Sequence, residues 1–441
     1  MRLTATLIKS TVVAALGGLL FGFDTAVISG TTAGLKVTFH LSDWGLGLTV
    51  SIALIGTILG AMFAGMPGDR YGRRDSLRAM AILYLISALG CGLAWNWTSL
   101  LVFRFVGGLG VGGSSVLGPM YIAEIAPARW RGRLVGVFQI NIVIGILLAY
   151  LSNYLIGTAG LAQDWRWMLG VSGIPALFFF VMLYTIPRSP RWLMQKRRRE
   201  EAQQTLEMVG EQNVKAELDD IARSIDVEHG HATEPLFSRK YAKPIFLAVS
   251  IAAFNQLSGI NAILYYLNDI FARAGFSKVS GDLQAVLIGF TNLVFTLFAM
   301  SIIDRFGRKK LLLVGAAGMT ACLAGVAIIF FLNSHEDLLV WLLVGFIAFF
   351  AFSQGAVIWV YISEVFPNRV RAKGQSLGTM THWVVNAAIS YGFPAVASYS
   401  RGAPFAFFSA MMLLMFFVVL AYYPETKGIT LEDMQRKLGI E

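Results

Sequence analysis

Apolar stretches of about 20 residues, separated by short polar connections, follow one another along almost the whole chain. They fall at about 8–30, 46–67, 77–95, 100–123, 134–156, 167–186, 244–270, 283–303, 311–332, 338–362, 375–397 and 403–423. Each has the length a helix needs to cross the hydrocarbon core of a bilayer. The pattern predicts an all-α membrane protein with twelve transmembrane helices.

One long polar stretch interrupts the series, from Pro187 to Lys243. Within it Leu206, Val209, Val214, Leu218 and Ile221 recur at helical spacing, which predicts short amphipathic helices on the membrane surface. The division expected is a six-helix bundle over 1–186, a linker over 187–243, a second bundle over 244–423 and a tail over 424–441.

Composition agrees with the pattern. Hydrophobic residues make up 56% and charged residues only 14% of the 441, against about 25% charged in soluble domains. The net charge of +10 raises the question of nucleic acid. Its distribution excludes that partner, because nearly all Lys and Arg lie in the connections between apolar runs. With both termini on the cytoplasmic side, thirty of the 36 basic residues fall on that side and five on the other, with Arg104 inside a span. This asymmetry is the signature of cytoplasmic loops.

Cys91 and Cys322 lie inside apolar runs and read as packing residues, with no disulfide or metal site implied. The first apolar run continues into Asp24 without a cleavage signal and reads as a retained helix. Trp95, Trp97, Trp165 and Trp167 stand at span ends and read as an interfacial belt.

The chain repeats itself. Gly68-Asp69-Arg70-Tyr71-Gly72-Arg73-Arg74 returns as Ile303-Asp304-Arg305-Phe306-Gly307-Arg308-Lys309, 235 residues later. Tyr121-Ile122-Ala123-Glu124 returns as Tyr361-Ile362-Ser363-Glu364 after 240, and the Pro187 segment returns at Pro424 after 237. Three near-equal offsets predict two duplicated six-helix bundles, an architecture suited to alternating access around a midplane site.

With Gly-Gly-Leu-Leu-Phe-Gly-Phe-Asp at 17–24, Arg131-Gly132-Arg133, Pro190-Arg191-Trp192-Leu193 and Pro424-Glu425-Thr426-Lys427-Gly428, the chain resembles the sugar porter family of the major facilitator superfamily. The bacterial sugar/proton symporters of xylose type are the nearest in character. The resemblance spans essentially the entire chain. It implies a monosaccharide and protons as transported species, the lipid bilayer as surroundings, a functional monomer and no cofactor or metal.

Asp24 is the most informative residue. A carboxylate in mid-span costs about 2.5–3.5 kcal/mol to insert, so it needs a partner or a proton. Arg104, at similar fractional depth in the fourth span, is the natural counter-ion. Burial favours the protonated acid and a nearby guanidinium the charged one, so relative motion can load and unload a proton. A static ion pair that fixes packing is the alternative.

A sugar needs side chains that both donate and accept hydrogen bonds, together with an aromatic platform. The seventh span supplies Asn255, Gln256, Asn261 and Tyr265, with Gly259 able to let the helix bend. The resemblance adds Phe21, Gln139, Asn292, Trp359 and Trp383. His382 stands where an amide is usual, as a hydroxyl ligand, a second titrating group or a packed neutral ring. Asn255 replaces a Gln, the tenth span lacks the usual prolines, and Arg188 replaces a customary Glu.

Asp69, Arg73, Glu124 and Arg131 in the first half are expected to pair with Asp304, Arg308, Glu364 and Arg371 in the second, as a candidate cytoplasmic gate. Expected as surface ion pairs, they would be worth about 0–1 kcal/mol each. No GxSxG, HExxH or P-loop pattern is present, so an enzyme is not expected. A passive facilitator and a non-transporting sugar sensor are the rival functions.

Overall fold

A computed structural model describes residues 4–127, 129–230, 234–367, 369–429 and 431–440. Every regular element in this described part is helical. Eleven helices among the described residues are long and apolar enough to cross a membrane. The remaining predicted span, 375–397, lies within the helix Arg371–Tyr399. At 29 residues and 1.5 Å per residue it has ample length. Its interior carries buried His382, Asn386 and Ser390, which lower its apolarity.

Four of the other predicted spans are interrupted, the second only near its end, at Ala64 between Asp43–Phe63 and Gly65–Tyr71. The sixth is made of Asp164–Gly170 and Gly173–Met182. The seventh breaks twice, giving Ala242–Leu257, Ile260–Tyr265 and Leu267–Arg273. Its first break is at Gly259, whose φ of +81° lies in the left-handed region and which glycine adopts without steric cost. The tenth divides into Leu339–Phe352 and Gln354–Val365 around Ser353, although no proline or glycine stands at the break. There the Ser353 hydroxyl donates to the Phe349 carbonyl at 2.5 Å, satisfying the oxygen that the broken ladder leaves open.

The chain divides into two compact units. The first comprises Met1–Val27, Ile52–Ser152 and Ala162–Ala232. Its helices pack by backbone contact at small residues. A Cβ on Gly22 would stand 1.9 Å from the Ile142 carbonyl oxygen, and one on Gly145 would stand 2.0 Å from that of Leu19. First and fifth spans therefore cross with no room for side chains, as small residues permit in membrane helices. Gly56 and Gly108 do the same for the second and fourth spans, against Phe105 and Ala53. These two crossings fix the helices that carry Asp24 and Arg104.

The described part of the polar linker up to residue 230 belongs to this unit. Pro190–Gln195, Arg199–Val209 and Val214–Gly230 are helical and bury Trp192, Leu193, Ala202, Leu206 and Leu218 among themselves. Val209 joins the main core of the unit instead. Thr4 ties the chain start to the same helix by donating to the Val209 carbonyl at 3.0 Å. Trp165 is buried rather than interfacial, while Trp95 and Trp167 are exposed as a belt requires.

The second unit comprises Ile28–Ser51, Asn153–Leu161 and Thr233–Glu441. The segment 28–51 groups here through specific bonds. The Ser29 hydroxyl donates to Asn268 Oδ1 at 2.7 Å and accepts from the Asn268 backbone N–H at 3.0 Å. Lys36 pairs with Asp43 at 2.5 Å, and Trp44 lies 5.2 Å from the Tyr391 ring.

Candidate functional site

In the first unit Arg104 is buried at 4% exposure. Its guanidinium lies within electrostatic reach of the Asp24 carboxyl, as the depth argument expects. Asp24 itself is half-buried, three residues after the half-buried Phe21 on the same helix. Two further groups belong to this cluster and escape a reading of sequence alone. The Tyr84 hydroxyl stands 3.0 Å from Ser114 Oγ, in the field of Asp24. Gly17 lets the first span pack against Ser114, since a Cβ there would stand 3.2 Å from Ser114 Cβ. The Cys91 thiol feels both charges and is 3.9 Å from Ser87 Oγ. Gln139, half-buried on the fifth span, belongs to the same unit.

The second unit holds the amide and aromatic set. Gln256, 2% exposed, is saturated by its neighbours. Its Nε2 donates to Asn255 Oδ1 at 3.0 Å and approaches the His382 ring nitrogens at 3.1 and 3.2 Å. Its Oε1 accepts from Asn261 Nδ2 at 3.0 Å. Since an amide NH₂ can only donate, the imidazole nitrogen it meets must be unprotonated. The Trp359 ring lies 5.2 Å from His382 and the Trp383 ring 5.1 Å, the latter edge-on. Trp359 is the exposed member, at 40%, and Trp383 is buried.

This arrangement depends on the break at Gly259. Gln256 lies in the last turn of one helical segment and Asn261 in the first turn of the next, so five residues of sequence separation become a direct hydrogen bond. A Cβ at residue 259 would meet the Phe408 ring at 2.3 Å, so substitution there is barred by space as well as by φ. Tyr265 is buried and its hydroxyl accepts from Asn386 Nδ2 at 3.2 Å. Asn386 in turn accepts from Ser390 Oγ at 3.0 Å. Asn386 is a candidate site residue that sequence reasoning misses, although it shares a helix face with His382, four residues earlier. Asn292 is buried in the eighth span at 7% exposure.

The gate residues form a repeated construction, one copy in each unit. In the first, Arg73 Nε donates to Glu124 at 2.9 Å and Nη1 reaches Asp69 at 3.0 Å. Glu124 accepts from Ser189 Oγ through its other oxygen, and Tyr121 donates to the Pro187 carbonyl at 2.7 Å. In the second, Arg308 pairs with Glu364 at 3.0 Å, Glu364 accepts from Thr426 Oγ1 at 2.5 Å, and Tyr361 donates to the Pro424 carbonyl at 3.2 Å. The side chain of Asp304 lies outside the described part of the structure.

Two expectations change here. Arg73 and Glu124 have side-chain exposures of 5% and 8%, so they are a buried pair and not a surface one. Their interaction belongs to the regime in which losing one partner costs several kcal/mol. The gate ion pairs described, Arg73–Glu124 and Arg308–Glu364, each lie within one unit, and Arg131 is exposed in the field of Glu217 on the linker. Arg371 donates to the Phe366 carbonyl at 3.4 Å.

The chain matches the model of the family described as "Sugar (and other) transporter" over residues 10–438. It is 37% identical over 466 residues to the D-xylose-proton symporter of Escherichia coli (strain K12), covering 96% of this chain and 94% of that protein. It is also 37% identical over 432 residues to the arabinose-proton symporter of Bacillus subtilis (strain 168), covering 96% and 93%. The inward open structure of the xylose transporter XylE from E. coli superposes with a TM-score of 0.88 at 36% identity, covering 98% of this chain and 99% of that one. A partially occluded inward open structure of XylE gives 0.87 at 35% identity, covering 97% and 100%. The fold is that of the major facilitator superfamily, and the chain belongs to the sugar transporter family.

Proposed function

We propose that this protein is a proton-coupled symporter that imports a monosaccharide across the cytoplasmic membrane by alternating access. The observation that carries the reading is Arg104 within electrostatic reach of the Asp24 carboxyl on membrane-spanning helices, in a chain similar to named sugar-proton symporters. Asp24 takes the proton and Arg104 tunes its release. Asn255, Gln256, Asn261, Tyr265, His382, Trp359 and Trp383 take the sugar, with Asn292, Phe21 and Gln139 assigned by the family resemblance.

Before a hydroxyl can bind Gln256, it must exchange with the partners that now saturate this amide. Such an exchange is close to neutral in net free energy, because hydrogen bonds are replaced and not lost. It suits a carrier that must release its cargo. The energetics of coupling suffice: one charge moving through about 150 mV supplies about 3.5 kcal/mol, or about 300-fold accumulation.

The 30:5 distribution of basic residues supports both termini in the cytoplasm. The repeat supports covalent halves at 1–186 and 244–423, joined by the linker 187–243 and followed by the tail 424–441. The working unit is a monomer that needs no nucleic acid. Asp24→Asn in proteoliposomes abolishes sugar accumulation driven by a proton gradient while counterflow exchange persists. If accumulation survives in that variant, Asp24 is not the coupling acid. A passive facilitator would show no gradient-driven accumulation in the parent protein either.

A further inference from the structure

One cationic cluster of the first unit takes no part in the proposed transport chemistry. Asp75, in the first turn of the third span, serves three guanidinium groups at once. Arg74 Nε lies 3.3 Å from it, Arg78 Nη1 2.6 Å and Arg188 Nη2 3.0 Å. Three cations on one carboxylate leave two positive charges uncompensated within the cluster. Among the described residues, the Nε–H groups of Arg78 and Arg188 have no hydrogen-bond partner.

The cluster is built into the fold. Arg74 donates to the Ile186 carbonyl at 3.0 Å and Arg78 to the Leu183 carbonyl at 3.1 Å, where the sixth span ends. The Arg78 guanidinium covers the Tyr184 ring at 3.8 Å. Arg188, about one-third exposed, is the accessible member. From the Arg78–Tyr184 contact an exposed apolar flank runs along both helices, with Ile82, Ile86 and Leu89 on the third span and Val181 on the sixth.

Excess guanidinium charge at the span ends, continuous with an apolar wall, is complementary to a molecule with an anionic head and aliphatic tails. Guanidinium forks match phosphate oxygens in bidentate geometry, and basic pockets between membrane helices hold anionic headgroups. We propose that Arg74, Arg78 and Arg188 form a binding site for the phosphate of an anionic phospholipid whose acyl chains lie on the flank beginning at Tyr184. A free phosphate would satisfy the guanidinium groups but leave the adjoining apolar wall unused. This site is independent of the sugar and proton assignments.

The test is native mass spectrometry of the full-length protein released from detergent with phosphatidylglycerol or phosphatidylcholine of identical acyl chains. Phosphatidylglycerol should be retained about fivefold more than phosphatidylcholine, the effect of about one basic residue at a lipid surface. R188Q should bring the two lipids level. R223Q, on the exposed surface of the helix Val214–Gly230, should leave the preference intact. R188K keeps the charge and should retain at least half of the parent's phosphatidylglycerol, so the proposal stays testable if R188Q does not fold. Equal retention of both lipids by the parent overturns the proposal, as does an undiminished preference in folded R188Q or loss of the preference in R188K. Displacement of the lipid by millimolar inorganic phosphate would also overturn it, marking a phosphate site instead.

Discussion

Removing the Glu124 side chain should destabilise the protein more than removing its repeat partner Glu364. Arg73 and Glu124 are almost fully enclosed, with 5% and 8% of their side-chain surface accessible. In Glu124→Ala the guanidinium keeps the Gly68 carbonyl at 2.8 Å and the mostly exposed Asp69 at 3.0 Å. It loses its buried counter-charge, and Ser189 loses an acceptor. Breaking a buried pair costs about 3–5 kcal/mol, and the surviving contacts hold the value near the lower end, about 3 kcal/mol. Arg308 and Glu364 are more accessible, at 10% and 27%. Glu364→Ala should therefore cost only about 1.5 kcal/mol, the worth of a hydrogen bond to a charged group. The difference is about a factor of ten in the unfolding equilibrium. Reversible unfolding in mixed dodecyl sulfate and maltoside micelles, followed by tryptophan fluorescence, measures both. If Glu364→Ala equals or exceeds Glu124→Ala, burial does not rank the two copies and the reasoning is wrong.

Gly259→Ala must place a side chain at φ +81° and against the Phe408 ring, costing about 1–3 kcal/mol through overpacking alone. The same micellar unfolding assay should register that loss, and sugar binding should weaken with it, because Gln256 and Asn261 would move apart. His382→Ala deprives the Gln256 amide of its ring partner. Sugar affinity, read from Trp359 or Trp383 fluorescence, should fall about tenfold, the equivalent of one buried hydrogen bond, whereas a change below about twofold would make the histidine a packing residue. Glu425 is subject to burial, which opposes its charge, but backbone N–H groups of Lys427, Arg308, Lys309 and Thr426 prevail and lower its pKa below the ordinary glutamate value. A depressed folded-state value gives stabilisation that is complete above the ordinary value and is lost as pH falls through the lowered one. Glu425→Gln should therefore lower stability at neutral pH and flatten the acid side of the stability profile between those two values.

The apolar runs and the helices agree because crossing a bilayer demands length and apolarity together, and both are written locally. Eleven spans pass on those terms. The helix holding His382 and Asn386 does not, since polar groups needed for hydrogen bonding are indistinguishable in composition from a surface helix. The bend at Gly259 was legible, because only glycine accepts that φ freely. The break at Ser353 was not, because serine permits a break without requiring one. Asn255, Gln256, Asn261 and His382 were legible as a set from residue type, and the structure brings them into mutual contact. Asn386, Tyr84 and Ser114 went unread, because an isolated polar residue in a span carries no sign of its partner. Arg131 shows the converse limit: a charge in a gate-like loop announces itself, but that Glu217 on the linker lies in its field depends on how the linker folds back.

The interruption at Ser353 has a mechanical consequence. A proline kink is permanent, because the imide nitrogen can never supply the missing donor. Ser353 keeps its N–H, which now reaches the Phe350 carbonyl at 3.2 Å, and lends its hydroxyl to Phe349. Rotating that hydroxyl away would let regular pairing resume across residues 349–353, so the rod can straighten and flex again without leaving a carbonyl stranded in hydrocarbon. The neighbouring Gly315, where even a Cβ would fall 1.9 Å from the serine oxygen, leaves the joint the clearance such a motion requires.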